Sequence, residues 1–269
     1  MSSTAVRQRR PPVRLQVWGA LAHAALIEAV RRRDIYVALI LAVVMIGGTA
    51  VIGTFGVRGL EVFIKDVTMT VINMVTVVLA VLFSARQLHE EIERRTVYPL
   101  LARPITRFDL IMGKYLGAVL QAWLSLVLFS VIGWIGLWIF GISLGPIFLQ
   151  YIALRAVALA VVCAITMLLS LLMTPGATVT ISLLINIGAA TFSEAVLMLH
   201  GAAGRIADGF LRATYYVLPH LDLFDLSKKV SYGWQPLSAS TLWGLSGYAL
   251  IYIVTFLGIS TIVFNRKAL

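Results

Sequence analysis

The side chains best able to do chemistry in water are gathered in one stretch, Glu90 to Gly117. It holds Glu90, Glu91, Glu93, Arg94, Arg95, Arg103, Arg107, Asp109 and Lys114, in a chain only 13% charged. Charge is costly in hydrocarbon, so an apolar chain that concentrates it in one connection has something in water to meet there. The chemistry this implies is recognition, not catalysis. His89-Glu90-Glu91 is not the H-E-x-x-H of a zinc protease, the four histidines are scattered, and no G-x-S-x-G elbow occurs. No G-x-x-x-x-G-K-[ST] phosphate loop is present either, so ATP has no site of that kind in this chain. Neither a metal site nor a cofactor site is expected, and the methionines, without clustered spacing, read as packing.

Two stripes of polar residues recur at helical spacing inside apolar runs. Asp66, Thr70, Asn73, Val77, Ala80, Ser84 and Gln87 lie alternately four and three residues apart, on one face of a helix. Thr178, Ser182, Asn186, Ala189 and Ser193 form a similar face, with His200 beyond. In lipid such groups turn toward protein or a water-filled cavity. Two readings stay open. Thr70, Asn73, Ser84, Thr178, Ser182, Asn186 and Ser193 line a pathway, or these small residues pack helices closely. Asn73 and Asn186 carry the pathway reading furthest, because an amide is the costliest of these groups to leave unsatisfied. Glu194 is the candidate intramembrane charge, with His200 or Arg205 as an interfacial partner.

Apolar helices must position these residues. The chain has 269 residues and is 60% hydrophobic, above the ~45–50% of soluble domains. Its apolar runs are continuous, so helices rather than a barrel cross the bilayer. Six spans are expected, near 35–55, 67–86, 115–140, 151–173, 178–200 and 244–264. Residues 1–34 read as a basic tail followed by an interfacial helix, retained in the mature chain. With both termini inside, fifteen of the 22 Lys and Arg fall on the inner side and seven outside, which favours that orientation. The net charge of +10 follows from this asymmetry and does not point to nucleic acid. The single cysteine, Cys163, excludes an intrachain disulfide. Residues 201–243 read as one or two short helices dipping into the outer leaflet, then a loop through Leu218-Pro219-His220. That segment either meets an extracytoplasmic protein or seals the outer end. The whole chain reads as one all-α integral membrane domain.

The charged stretch has its own internal logic. Span two continues as a helix past Gln87, supported by Glu90–Arg94 and Glu91–Arg95 pairs, each worth ~0.2–0.5 kcal/mol. Pro99 suits the start of a short second helix. Pro104 forces Arg103 out of helical geometry. Thr106-x-x-Asp109 is a capping box that starts the helix leading into span three. Val97, Tyr98, Leu100 and Leu101 give the short crossing helix an apolar surface fit for a socket.

This pattern resembles the signature cytoplasmic loop of type-2 ABC exporter permeases. The matching residues are Glu90, Glu91 and Glu93, Thr96, Leu100-Leu101, Arg103-Pro104, Ile105, Thr106-Arg107 and Gly113-Lys114. Arg95 stands where the usual pattern has Gly. The short permeases of the multicopper-enzyme-maturation and gliding type are the most similar subgroup. The resemblance implies a six-span half-transporter of a bacterial or archaeal cytoplasmic membrane, pairing as a homodimer. Two copies of an ATP-binding cassette subunit, carrying ATP and Mg, would dock beneath it. The 87–114 loop would then be the coupling loop, with Glu90, Glu91, Arg94, Thr96, Tyr98, Leu100, Leu101 and Arg103 as contacts. Spans two and five would line an export path. The alternatives are a mechanotransmitter that passes ATPase motion to an extracytoplasmic partner, and a gradient-driven carrier. The scarcity of buried ionisable residues disfavours the carrier.

Overall fold

The computed structural model describes residues 60–93, 106–199 and 219–266, together with Trp18, Gly19, Tyr36, Ile40, Val43, Val44, Gly47 and Gly48; at residues 60, 88–93 and 189–199 it describes the backbone alone. Helix α1 spans Leu60–Glu93, α2 Arg107–Ile139, α3 Ile147–Leu172 and α4 Pro175–Leu199. A 3-10 turn at Leu221–Phe224 and the short α5, Ser227–Ser231, precede α6, Ala239–Arg266. No strand occurs among the described residues. Four helices, α1, α2, α3 and α6, are long and apolar enough to cross a membrane. The described apolar part of α4 runs from Pro175 to Gly188. The expected first span falls outside the described residues, apart from helical positions between 36 and 48.

Local chemistry explains the boundaries. α1 has 34 residues, about 51 Å at 1.5 Å each. That exceeds a ~30 Å hydrocarbon core, so the helix projects beyond it. It carries Glu90, Glu91 and Glu93 on its last turn, so the helix continues past Gln87 as expected, while Arg94 and Arg95 lie outside the described residues. It also starts earlier than expected, taking in Glu61, Lys65 and Asp66, and Lys65 donates to Glu61 across one turn at 2.7 Å. α2 begins at the expected box: Asp109 N–H donates to Thr106 Oγ1 at 3.2 Å, and Thr106 N–H donates to Asp109 Oδ2 at 3.2 Å. It ends in a Schellman motif, in which Gly141 N–H donates to the Trp138 carbonyl and Ile142 N–H to that of Leu137, both at 3.0 Å. Gly141 has a φ of +72°, which a side chain would strain. Pro175 opens α4 at the first helical position and keeps Thr174 out of helical geometry, separating α4 from α3.

The side-chain bonds set the packing. Tyr151 donates to the Met69 carbonyl (3.3 Å) and Ser84 to the Cys163 carbonyl (2.8 Å), so α1 and α3 run parallel in a nearly constant register. α2 is antiparallel to α3: Tyr115 donates to the Ala160 carbonyl at 3.3 Å and Trp123 to the Ala156 carbonyl at 2.8 Å. Met69, Ile72, Leu79, Leu126, Phe129 and Tyr151 are fully buried among these three helices. Gly133 lets α2 approach α1, since a Cβ there would stand 2.8 Å from Ile72 Cδ1 and 3.0 Å from Thr68 Cγ2. Trp123, Val127, Val131, Trp134 and Trp138 form an exposed apolar row along α2, suited to lipid.

Candidate functional site

The bundle has two chemically distinct ends. At the first, α2 starts beside the end of α6. Arg107 Nη1 donates to the carbonyls of Phe264 (3.0 Å) and Asn265 (3.2 Å), and its guanidinium lies 5.7 Å from the centre of the Phe264 ring. A cation there satisfies carbonyls that a helix C-terminus leaves without partners. Trp18 Nε1 donates to Asp109 Oδ1 at 3.0 Å, and its ring meets Phe108 edge-on. Asp109, 5% exposed, thus serves the cap with one oxygen and holds Trp18 with the other. The last charged turn of α1 and the restart at Thr106 flank the segment expected to couple. Glu90 and Glu91 lie on α1, where the backbone alone is described, and Arg94, Thr96, Tyr98, Leu100, Leu101 and Arg103 lie outside the described residues.

At the second end, residues 219–237 fold back over α1 and α3. Leu221, Phe224, Leu226 and Val230 are buried, so this segment, expected as a loop, belongs to the core. Polar bonds fasten it. Gln150 Nε2 donates to the Leu237 carbonyl (3.1 Å), while Leu237 N–H donates to Gln150 Oε1 (2.8 Å). Ser231 Oγ donates to Asp66 Oδ1 (3.4 Å), and the His220 N–H donates to the Tyr248 hydroxyl on α6 (3.1 Å). α5 ends in a second Schellman motif at Gly233, φ +65°.

The centre of this end is a three-element polar junction. Asn73 on α1 donates from Nδ2 to Asp225 Oδ2 at 3.1 Å. The other oxygen of Asp225 accepts the N–H of Ser227 at 2.9 Å. Arg155 on α3, 4% exposed, donates from Nη2 to the Asn73 carbonyl at 3.4 Å. Its Nε is buried without a hydrogen-bond partner, and Asp225 and Tyr151 act on it electrostatically.

A family model described as a protein of unknown function, DUF2705, matches residues 51–269. The chain belongs to the DUF2705 family. The match takes in every helix from α1 to α6, both bundle ends and the charged connection. No curated protein matches the chain.

This DUF2705 chain distributes its expected pathway residues unevenly. On α1, Thr70 is exposed, Asn73 is half-buried in the junction, and Ser84 is buried against α3. On α4, Thr178 is buried, with its hydroxyl 3.4 Å from the Leu169 carbonyl. Ser182 Oγ and, facing it from α3, Thr166 Oγ1 are buried without partners, and both line a small void with Asn186 and Leu221. Ser193 and Glu194 lie on α4 where the backbone alone is described, and His200 lies outside the described residues. Sequence reasoning missed Arg155 as a site residue, counting it only among the seven outer-side charges although it falls within the expected span 151–173. The structure places it two turns into α3, which begins at Ile147. The legible signal was Tyr151 and Arg155 four apart in an apolar run. Asp225-Leu226-Ser227 likewise carries the Asx-turn pattern.

Proposed function

We propose that this protein is the membrane-spanning permease subunit of an ABC-type exporter, driven by ATP hydrolysed on a separate nucleotide-binding subunit. The observation that carries the reading is the pair of helix ends around residues 94–105. α1 projects its acidic last turn past the apolar region, and the Thr106–Asp109 box restarts the chain as α2 without a spacer. Residues 94–105 join these two ends, and in this reading a push or pull on them reaches both helices. Tyr98, Leu100 and Leu101 are its candidate contacts with the partner, alongside Glu90, Glu91, Arg94, Thr96 and Arg103. In this reading the Arg107 end faces the cytoplasm, the Asp225 end faces outward, and six spans place both termini inside. A second copy of the chain completes the transporter, and ATP and Mg reside on the partner.

The mechanotransmitter reading has one observation in its favour. α1 runs unbroken from the charged turn to Asp66 and Asn73, which hold the outer segment. Movement of its inner end therefore reaches that segment directly. Reconstitution separates the two. Purified chain and ATPase in vesicles should accumulate a tracer in an ATP-dependent manner if the protein exports. ATP hydrolysis that moves the 219–237 segment without any solute flux supports transmission alone.

A further inference from the structure

Arg155 is a buried guanidinium in an apolar helix, and its bonding is incomplete. It is 4% exposed, its Nε has no partner, and Nη2 makes one long bond to a backbone carbonyl. A buried cation held this loosely is costly unless an anion balances it. The available anion is Asp225, which is exposed and belongs to the outer segment rather than to the bundle. Its two oxygens are taken by Asn73 Nδ2 (3.1 Å) and the Ser227 N–H (2.9 Å). One carboxylate thus sits in a cradle of donors, and Asn73 links it to the guanidinium, donating to Asp225 from its amide and accepting from Arg155 Nη2 at its carbonyl.

We propose that Arg155 and Asn73 form a recognition site for an oxyanion, carboxylate or phosphate, and that Asp225 is its built-in occupant. Lifting of the outer segment removes Asp225 and leaves the guanidinium and the Asn73 amide facing the incoming group. The planar fork of Arg suits either anion. The site rests on the outward orientation of this end, and with the permease reading it gives the cargo an anionic group. A lipid headgroup and a soluble oxyanion share this chemistry.

The test places a thiol where the carboxylate stands. Asp225→Cys in a Cys163→Ala background leaves one cysteine in the full-length chain, since Cys163 is the only native one. Vesicles carrying it are treated from outside with sulfonate-bearing and trimethylammonium-bearing methanethiosulfonates, and each rate is normalised to a free thiol. The expected anionic-to-cationic rate ratio falls about tenfold when Arg155→Gln is added, and Arg155→Lys restores part of it. Should Arg155→Gln fail to insert, Asn73→Ala takes its place, with a smaller fall expected. Protection by inorganic phosphate identifies a soluble oxyanion. Protection in phosphatidylglycerol but not phosphatidylcholine vesicles identifies a headgroup. A ratio that ignores Arg155, a thiol unreactive with both reagents, or protection by neither anion overturns the site. No step involves nucleotide, so the result stands apart from the ATPase reading.

Discussion

Single residues carry the two ends of this bundle. Thr106 supplies one hydroxyl to the first turn of α2, and Asp109 answers it while holding Trp18. Thr106→Ala is expected to cost about 0.5–2 kcal/mol, as N-cap losses do, and Thr106→Ser to cost much less. Thermal unfolding of the detergent-solubilised chain checks both, and equal melting temperatures for Ala and Ser variants would count against the cap. Gly133 tests the α1–α2 contact. Gly133→Ala needs a shift of the Ile72 terminal methyl and a smaller one of Thr68 Cγ2, whereas Gly133→Val adds further bulk against both. Overpacking of this kind costs about 1–3 kcal/mol, so the valine variant should melt well below the alanine one. The box at Thr106 was legible because its four residues are local. Arg155 was not, because its meaning depends on Asn73 and Asp225, far away in sequence.

At the scale of elements, the 219–237 segment is a clasp that joins α1, α3 and α6. Gln150 makes two bonds to Leu237, and Asn73 holds Asp225. Gln150→Ala removes both partners of the Leu237 backbone, and a lost bond of this type costs about 1–3 kcal/mol. Amide exchange at Val230 and Tyr232, bonded to Leu226 and Lys228 carbonyls, should then speed up roughly tenfold by local opening. Unchanged exchange there would mean that apolar burial of Leu221 and Phe224 alone fixes the segment. Continuous apolar runs made α1, α2, α3 and α6 readable, with ends displaced by a turn or two where charged residues join the helix. The 219–237 segment was not readable as structure. Its Leu, Asp and Lys alternate like a loop, and only tertiary burial of every second or third residue turns it into a 3-10 turn and a short helix.

For the whole molecule, the fold gives one end locked by polar bonds around Asp225 and another where α1 ends and α2 begins. α1 links the two, running unbroken from Leu60 through Asn73 to Glu93. The pathway stripes proved harder to read than the helices bearing them, since a helical face says which residues align and not what they meet. Asn73 meets Asp225, whereas Ser84 meets a backbone carbonyl. In the proposed function a separate ATPase drives this bundle through the 96–102 segment. The most direct measurement is Mg-dependent ATP hydrolysis by complexes purified through the full-length chain, with and without Leu101→Glu. An ATP-binding subunit is expected to co-purify, its hydrolysis to be stimulated by the native chain, and Leu101→Glu to abolish the stimulation while the protein still inserts and melts normally. A chain that purifies without any ATPase, or stimulation that survives Leu101→Glu, would contradict it.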